Sequence, residues 1–363
     1  MSEAQGPRTV RPDEFPDLMR LVNGVFTSPG GMERALPLLF GEANRHHLWL
    51  VEADGKPVSH LGITVKEAAF GPVRTRVAAV GAVATYPECR GRGYATRLLQ
   101  AAWDQADAEG ADLCMISGGR GLYRRAGCCP LPGPLSASVE PERLPQVRVR
   151  LRPYQGDLTP FATLWEAEPV RWVRDDADWR LLLTQSPLGR YRWVRVWVER
   201  QGRPAAYVMI KIHNHPHPHA ALTEHAGDRR LALAAARRVC HDEGLARLRV
   251  GIADHDTEAA RLLFGAELPP AHEPHGTGQV LNLPRLLSRC PGLPAGLRVQ
   301  GNRDRWVLNL GGESLVLAGE APSRLVWGQQ PGEPELLPAT GPWREVLGAL
   351  FPLPRLCYGM NYV

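Results

Sequence analysis

Between Val73 and Ile116 the chain runs as apolar strand, arginine- and glycine-rich loop, amphipathic helix and apolar strand. This order restricts the fold more than any other stretch. "VRTRVAAVGAVATYP" is apolar enough to lie at the centre of a sheet. After "ECRGRG" a helix is expected from about Tyr94 to Glu109, with Leu98, Leu99, Ala102 and Ala106 on one face. Gly110 suits its C-terminal cap, and "ADLCMIS" reads as the next buried strand. The fold class expected is α/β or α+β, with mixed central sheets flanked by helices.

The loop has a chemistry of its own. A pyrophosphate is best held by backbone N–H groups and a helix N-terminus. Such a cradle needs glycine for close approach and accepts arginine for charge-assisted hydrogen bonds. Arg90, Gly91, Arg92, Gly93, Tyr94, Ala95 and Thr96 supply both just before the helix. The Gly-Lys-Ser/Thr ending of a Walker loop is absent, and "GRGYAT" does not give a dinucleotide fingerprint.

The rest of the chain reads as a partial repeat. "VEADGKPVSHLGI", with an Asp-Gly turn between two strands, is echoed by "VERQGRPAAYVMI" from Val198. "LTEHAGDRRLALAAARRVCHDEGLARLRVGI" then repeats the order strand, loop, helix, glycine, strand. The copy lacks the Arg-x-x-Gly-x-Ala spacing and puts acidic residues where phosphate would sit, so it is expected to bind no nucleotide cofactor, or to bind it poorly. After about Arg289 the composition shifts, and "GLRVQGNRDRWVLNLGGESLVLAG" alternates as antiparallel strands do. Three units are expected, at 1–145, 146–285 and 286–363, in keeping with a length of 363 residues.

Composition excludes several classes. A net charge of +5 without basic runs interleaved with aromatics argues against nucleic acid as a partner. No apolar run is long enough to span a membrane, and the polar start "MSEAQGPRTVRPDEF" lacks a secretory signal, so a cytoplasmic location is expected. Seven cysteines without a Cys-x-x-Cys pattern read as reduced, mostly buried thiols.

From "AVGAVATYPECRGRGYATRLLQAAWDQADAEGADLCMIS" through "SGGRGLYRRAGC" the sequence resembles the GNAT superfamily of acetyl-CoA-dependent acyltransferases. The wider layout resembles the Eis (enhanced intracellular survival) family. That resemblance implies tandem GNAT folds, the second degenerate, and a small α+β C-terminal domain like a sterol carrier protein. It implies acetyl-CoA as co-substrate with no metal, and an amine acceptor on a small molecule, peptide or protein. It also implies homo-oligomeric assembly, as a hexamer.

The resemblance places roles on individual residues. Val83, Ala84 and Thr85 would pair with the pantetheine arm, Gly91 to Thr96 would wrap the pyrophosphate, and Gly118 and Gly119 would line the cofactor further on. Tyr123 would be the general acid, and the final carboxylate, on Val363, the general base. The chemistry agrees: a strand-end N–H at Val83 or Thr85 can stabilise an oxyanion, a phenol stays protonated at neutral pH, and a terminal carboxylate is ionised. The function expected is N-acetyl transfer by direct attack in a ternary complex. The alternative is a non-catalytic acyl-CoA- or lipid-binding protein.

Other side chains invite weaker readings. The run His213 to His219 has the alternation of a metal site, interrupted by prolines, and is expected to be an exposed loop. His46, His47, His60, Glu33, Glu42 and Asp54 are candidates near an acceptor pocket, and "GGMERALPLLF" is a candidate for its wall.

Overall fold

The strand–loop–helix–strand order becomes the middle of an eight-stranded mixed sheet. The computed structural model describes residues 4–27, 31–185, 191–213, 219–265, 276–330 and 332–363. In spatial order the sheet holds Gln5–Thr9, Leu48–Ala53, Lys56–Phe70, Val73–Thr85, Ala111–Ile116, Thr277–Val280 and Cys129–Pro130, with Val170–Trp172 paired to the far end of Lys56–Phe70. Asp54 and Gly55 make the first hairpin turn, both at positive φ (50° and 72°), as a two-residue connection between twisted strands requires. The helix Tyr94–Ala108 covers one face through Leu98, Leu99, Ala102, Trp103 and Ala106. Each buried leucine there contributes roughly 1.5–3 kcal/mol. Gly110 follows the helix at φ 86°, a conformation that costs glycine little.

A second mixed sheet has six strands, ordered Leu135–Val139, Leu248–Ile252, His219–Gly227, Arg203–His213, Tyr191–Arg200 and Arg150–Pro153. Sheet membership cuts across sequence order. Leu135–Val139 pairs with Leu248–Ile252 in the second sheet, while Thr277–Val280 inserts between Ala111–Ile116 and Cys129–Pro130 in the first. Each sheet therefore borrows a strand from the other side of the connection, which ties the two together through backbone hydrogen bonds.

A three-stranded antiparallel sheet, Arg298–Asn302, Arg305–Leu310 and Glu313–Ala318, completes the chain. Trp306 of this sheet, and Trp327, Leu347 and Val363 from the segments after it, share one core with Met115 of the first sheet and with Leu131. The helix Leu283–Ser288, which precedes the three-stranded sheet, is tied to the first sheet by charge. Asp112, fully buried, accepts from Arg289 Nε at 2.6 Å and Thr75 Oγ1 at 2.5 Å, and is bonded to Arg285 Nε as well. Three donors on one buried carboxylate meet the requirement that an interior charge be paired. Among the described residues no helix is long and apolar enough to cross a membrane, and all seven cysteines are free thiols, five of them buried.

Candidate functional site

Val73–Thr85 and Ala111–Ile116 run parallel, paired from Arg76 opposite Ala111 to Val80 opposite Ile116. Val73–Thr85 then continues alongside Lys56–Phe70, where Gly62 faces Gly81 but His60 faces Ala84. The extra residue is a β-bulge, and Ala82 sits in it at φ 50°. Such a conformation costs a residue with a Cβ on the order of 1 kcal/mol or more, and bulges re-aim backbone groups beside active sites. Nothing in the sequence singled out Ala82, because a bulge has no composition of its own.

The loop opens into the cleft this creates. Gly91 and Gly93 have φ of 78° and 75°, a left-handed geometry that favours glycine. Gly93 is the N-cap of the helix Tyr94–Ala108, and no side chain caps it. The first-turn amides of Tyr94, Ala95 and Thr96 have no carbonyl partner within the helix. Arg90 Nε donates to the Thr85 carbonyl oxygen at 3.3 Å, and Arg92 to that of Glu88 at 3.3 Å, bracing the loop. Arg90, Gly91, Arg92, Gly93, Tyr94, Ala95 and Thr96 bound a cleft of about 390 Å³ together with Val83, Thr85 and Tyr123. Ala84 is buried, and it, Gly118 and Gly119 are not on the cleft's wall. Gly118 has a different use: a Cβ there would lie 3.2 Å from the Tyr123 ring, so its absence lets the ring in.

The corresponding turn of the second sheet is closed. The helix Arg229–Asp242 is capped by Asp228, whose carboxylate accepts from Leu231 N at 2.9 Å. Glu168 takes the Gly227 amide at 2.9 Å and pairs with Arg229 at 2.5 Å. Carboxylates occupy the amides and the cation that a phosphate would use.

Tyr123 lies in the short helix Gly121–Arg125, buried except toward the cleft. Burial pushes its phenol up to about 12, against a smaller downward pull from Arg120. Val363 is buried too: Ser117 Oγ donates to its carbonyl oxygen at 3.2 Å, and a Cβ on Gly81 would collide with its carbonyl group. The end of the sequence thus lies between the strands where they part.

A second cavity, of about 410 Å³, reaches the final segment as far as Tyr362, the residue before Val363. Ala35 and Leu36 from "MERALPLLF", Met115 of the first sheet, and Tyr358, Met360 and Tyr362 of the final segment line it. Its far wall comes from the second sheet. Sequence reasoning did not find this cavity, since its walls come from segments far apart in the chain.

The remaining candidates lie elsewhere. None of His46, His47, His60, Glu33, Glu42 and Asp54 lines either cavity. Among the described residues, His46, His47 and Glu109 are close enough to share a cation, with ligand atoms within 4.8 Å of one another. Both His47 nitrogens are engaged, one with Glu109 at 2.8 Å and one with Asn44 at 2.8 Å. Of the histidine run, residues 214–218 lie outside the described residues; His213 and His219 stack across adjacent strands at 4.8 Å.

His60 is fully buried, its Nδ1 2.9 Å from the Trp49 carbonyl oxygen, and burial lowers its pKa from 6.5 to about 4. The folded value is the lower one, so the unfolded chain takes up the proton first. Stability is full above about pH 6.5 and falls as pH drops toward 4. The expected loss across that window is roughly 3 kcal/mol. Thermal melts of wild type and His60→Gln, taken from neutral pH downward, check this: the variant's curve should be flatter.

Comparison with known proteins bears on the fold. Residues 7–130 match the family model described as an acetyltransferase (GNAT) domain. No curated protein matches the chain. Similar solved structures include a GCN5-related N-acetyltransferase from Anabaena variabilis, at TM-score 0.66 and 15% identity, covering 87% of this chain and 86% of that one. Another is a GCN5-related N-acetyltransferase from Kribbella flavida, at 0.61 and 14%, covering 86% and 84%. Eis1 from Mycobacterium abscessus aligns at 0.59 and 12%, covering 86% and 84%. At these identities the likeness is one of fold.

Proposed function

We propose, from the acetyltransferase (GNAT) domain over residues 7–130, that the chain transfers an acetyl group from acetyl-CoA to a primary amine by direct attack. The observation that supports this most is the cleft itself, where uncapped helix amides, two left-handed glycines and Tyr123 converge on one wall. In this reading the first-turn amides, Gly91, Gly93 and the two arginines hold the pyrophosphate. The pantetheine arm lies along Val83, Ala84 and Thr85, with Gly118 and Gly119 beyond.

The amine nitrogen attacks the thioester carbonyl carbon, and the carbonyl oxygen gains charge that the bulge N–H of Val83 stabilises. The C–S bond then breaks, and the sulfur leaves as a thiolate that Tyr123 protonates. The nitrogen's surplus proton goes to the carboxylate at Val363. That group is held beside Gly81 and takes a hydrogen bond from Ser117 Oγ. Each proton has a donor and an acceptor, and no covalent enzyme intermediate is needed.

The test is thiol release from acetyl-CoA across a panel of primary amines. Amine-dependent release supports the reading; CoA binding without turnover on any amine supports a non-catalytic acyl-CoA-binding protein instead.

A further inference from the structure

The cavity of about 410 Å³ has a one-sided charge. Directly opposed residues on neighbouring strands place Trp193, Lys211, Ala221 and Arg249 in one row, so their side chains share a face of the second sheet. That face is the cavity wall, to which Arg355 adds a third cation. Among the described residues no carboxylate lines the cavity. Arg355 is paired with Asp254 at 3.2 Å. Among the described residues Lys211 has no such partner: its ammonium lies over the rings of Tyr191, at 4.3 Å, and Trp193, at 6.0 Å, and burial lowers its pKa. The indole N–H of Trp193 is buried without an acceptor among the described residues. Around these donors the wall is apolar, with Leu36, Met115, Leu131, Leu353 and Leu356.

We infer that the acceptor is an amphiphile whose primary amine lies toward Val363 and whose anionic group is taken by Lys211, with an apolar body between. This rests on the acetyl-transfer reading for the amine's direction, and on the cavity alone for the anion. A wall of donors around one under-solvated ammonium is costly when empty and is satisfied by a carboxylate. It repels a polycation, so polyamines and aminoglycosides are poor occupants.

Two measurements keep the parts separate. Octanoate, octylamine and diaminooctane are titrated into the full chain by calorimetry, with no acetyl-CoA present. Octanoate should bind roughly tenfold or more tighter than either amine, and Lys211→Met should lower that ratio by roughly tenfold. Tighter binding of diaminooctane than of octanoate by the wild type would overturn the inference without any variant. Thiol release is then compared for an ω-amino fatty acid and a diamine of equal length, and the amino acid should give the higher kcat/KM. Octanoate binding with no acetylation of any amine would remove the acetyl-transfer reading and leave the anion preference standing.

Discussion

Tyr123→Phe lowers turnover roughly 10²–10⁴-fold while CoA affinity stays within a few fold of wild type. The ring's packing is unaffected, since Gly118 lies against the ring and the neighbouring Cys128 amide bonds the Tyr123 carbonyl, not the hydroxyl. Only the proton donor is lost, and the thiolate must then leave without one. Burial has pushed the phenol up to about 12, so it remains protonated across the physiological range. In the wild type the acid should therefore not limit turnover until pH rises above the ordinary phenol value of about 10. Steady-state kinetics with CoA titrations on both proteins read these quantities. Equal turnover would remove Tyr123 from the mechanism.

Glu224→Ala has the largest expected effect on stability. Glu224 and Arg174 are both buried and joined by two hydrogen bonds, at 2.9 and 2.7 Å. Arg174 is stacked between Trp165 and Trp179 at 4.4 and 4.6 Å, and Tyr207 donates to Glu224 at 2.8 Å. Removing the carboxylate strands a buried guanidinium, at a cost of roughly 3–5 kcal/mol. The same pair holds the final segment: the Met360 amide donates to Glu224 at 3.0 Å, and Arg174 Nε donates to Asn361 Oδ1 at 2.7 Å. Val363 lies only two residues further on.

A double variant separates the two roles. Arg174→Met with Glu224→Leu restores an apolar interior, and apolar replacement of buried pairs is often neutral or stabilising. Its melting temperature should recover most of the loss. Its turnover should remain low, because Met360 and Asn361 have still lost their anchors. Full turnover in the double variant would show that the pair serves stability alone.

The local geometry was legible in the sequence because it depends on neighbours along the chain. Gly91, Gly93 and the helix from Tyr94 form one continuous stretch, and their geometry follows from glycine's freedom and helical spacing. Lys211 was visible as one of three lysines in a chain otherwise supplied with arginine. Its role was not, because the cavity wall forms only when Arg249, Arg355 and Trp193 are brought together from three separate segments. The exchange of Leu135–Val139 and Thr277–Val280 was hidden for a similar reason. A short apolar strand carries no mark of which sheet it will join. The buried Arg174–Glu224 pair likewise joins residues 50 positions apart that have no shared motif.

The most direct test of the account is calorimetric titration of the purified chain with CoA and, separately, with pantetheine, which lacks the pyrophosphate. Several charge-assisted hydrogen bonds from the loop should make CoA bind roughly a hundredfold or more tighter. No measurable CoA binding, or equal affinity for pantetheine, would contradict the claim that Arg90 to Thr96 grip a pyrophosphate.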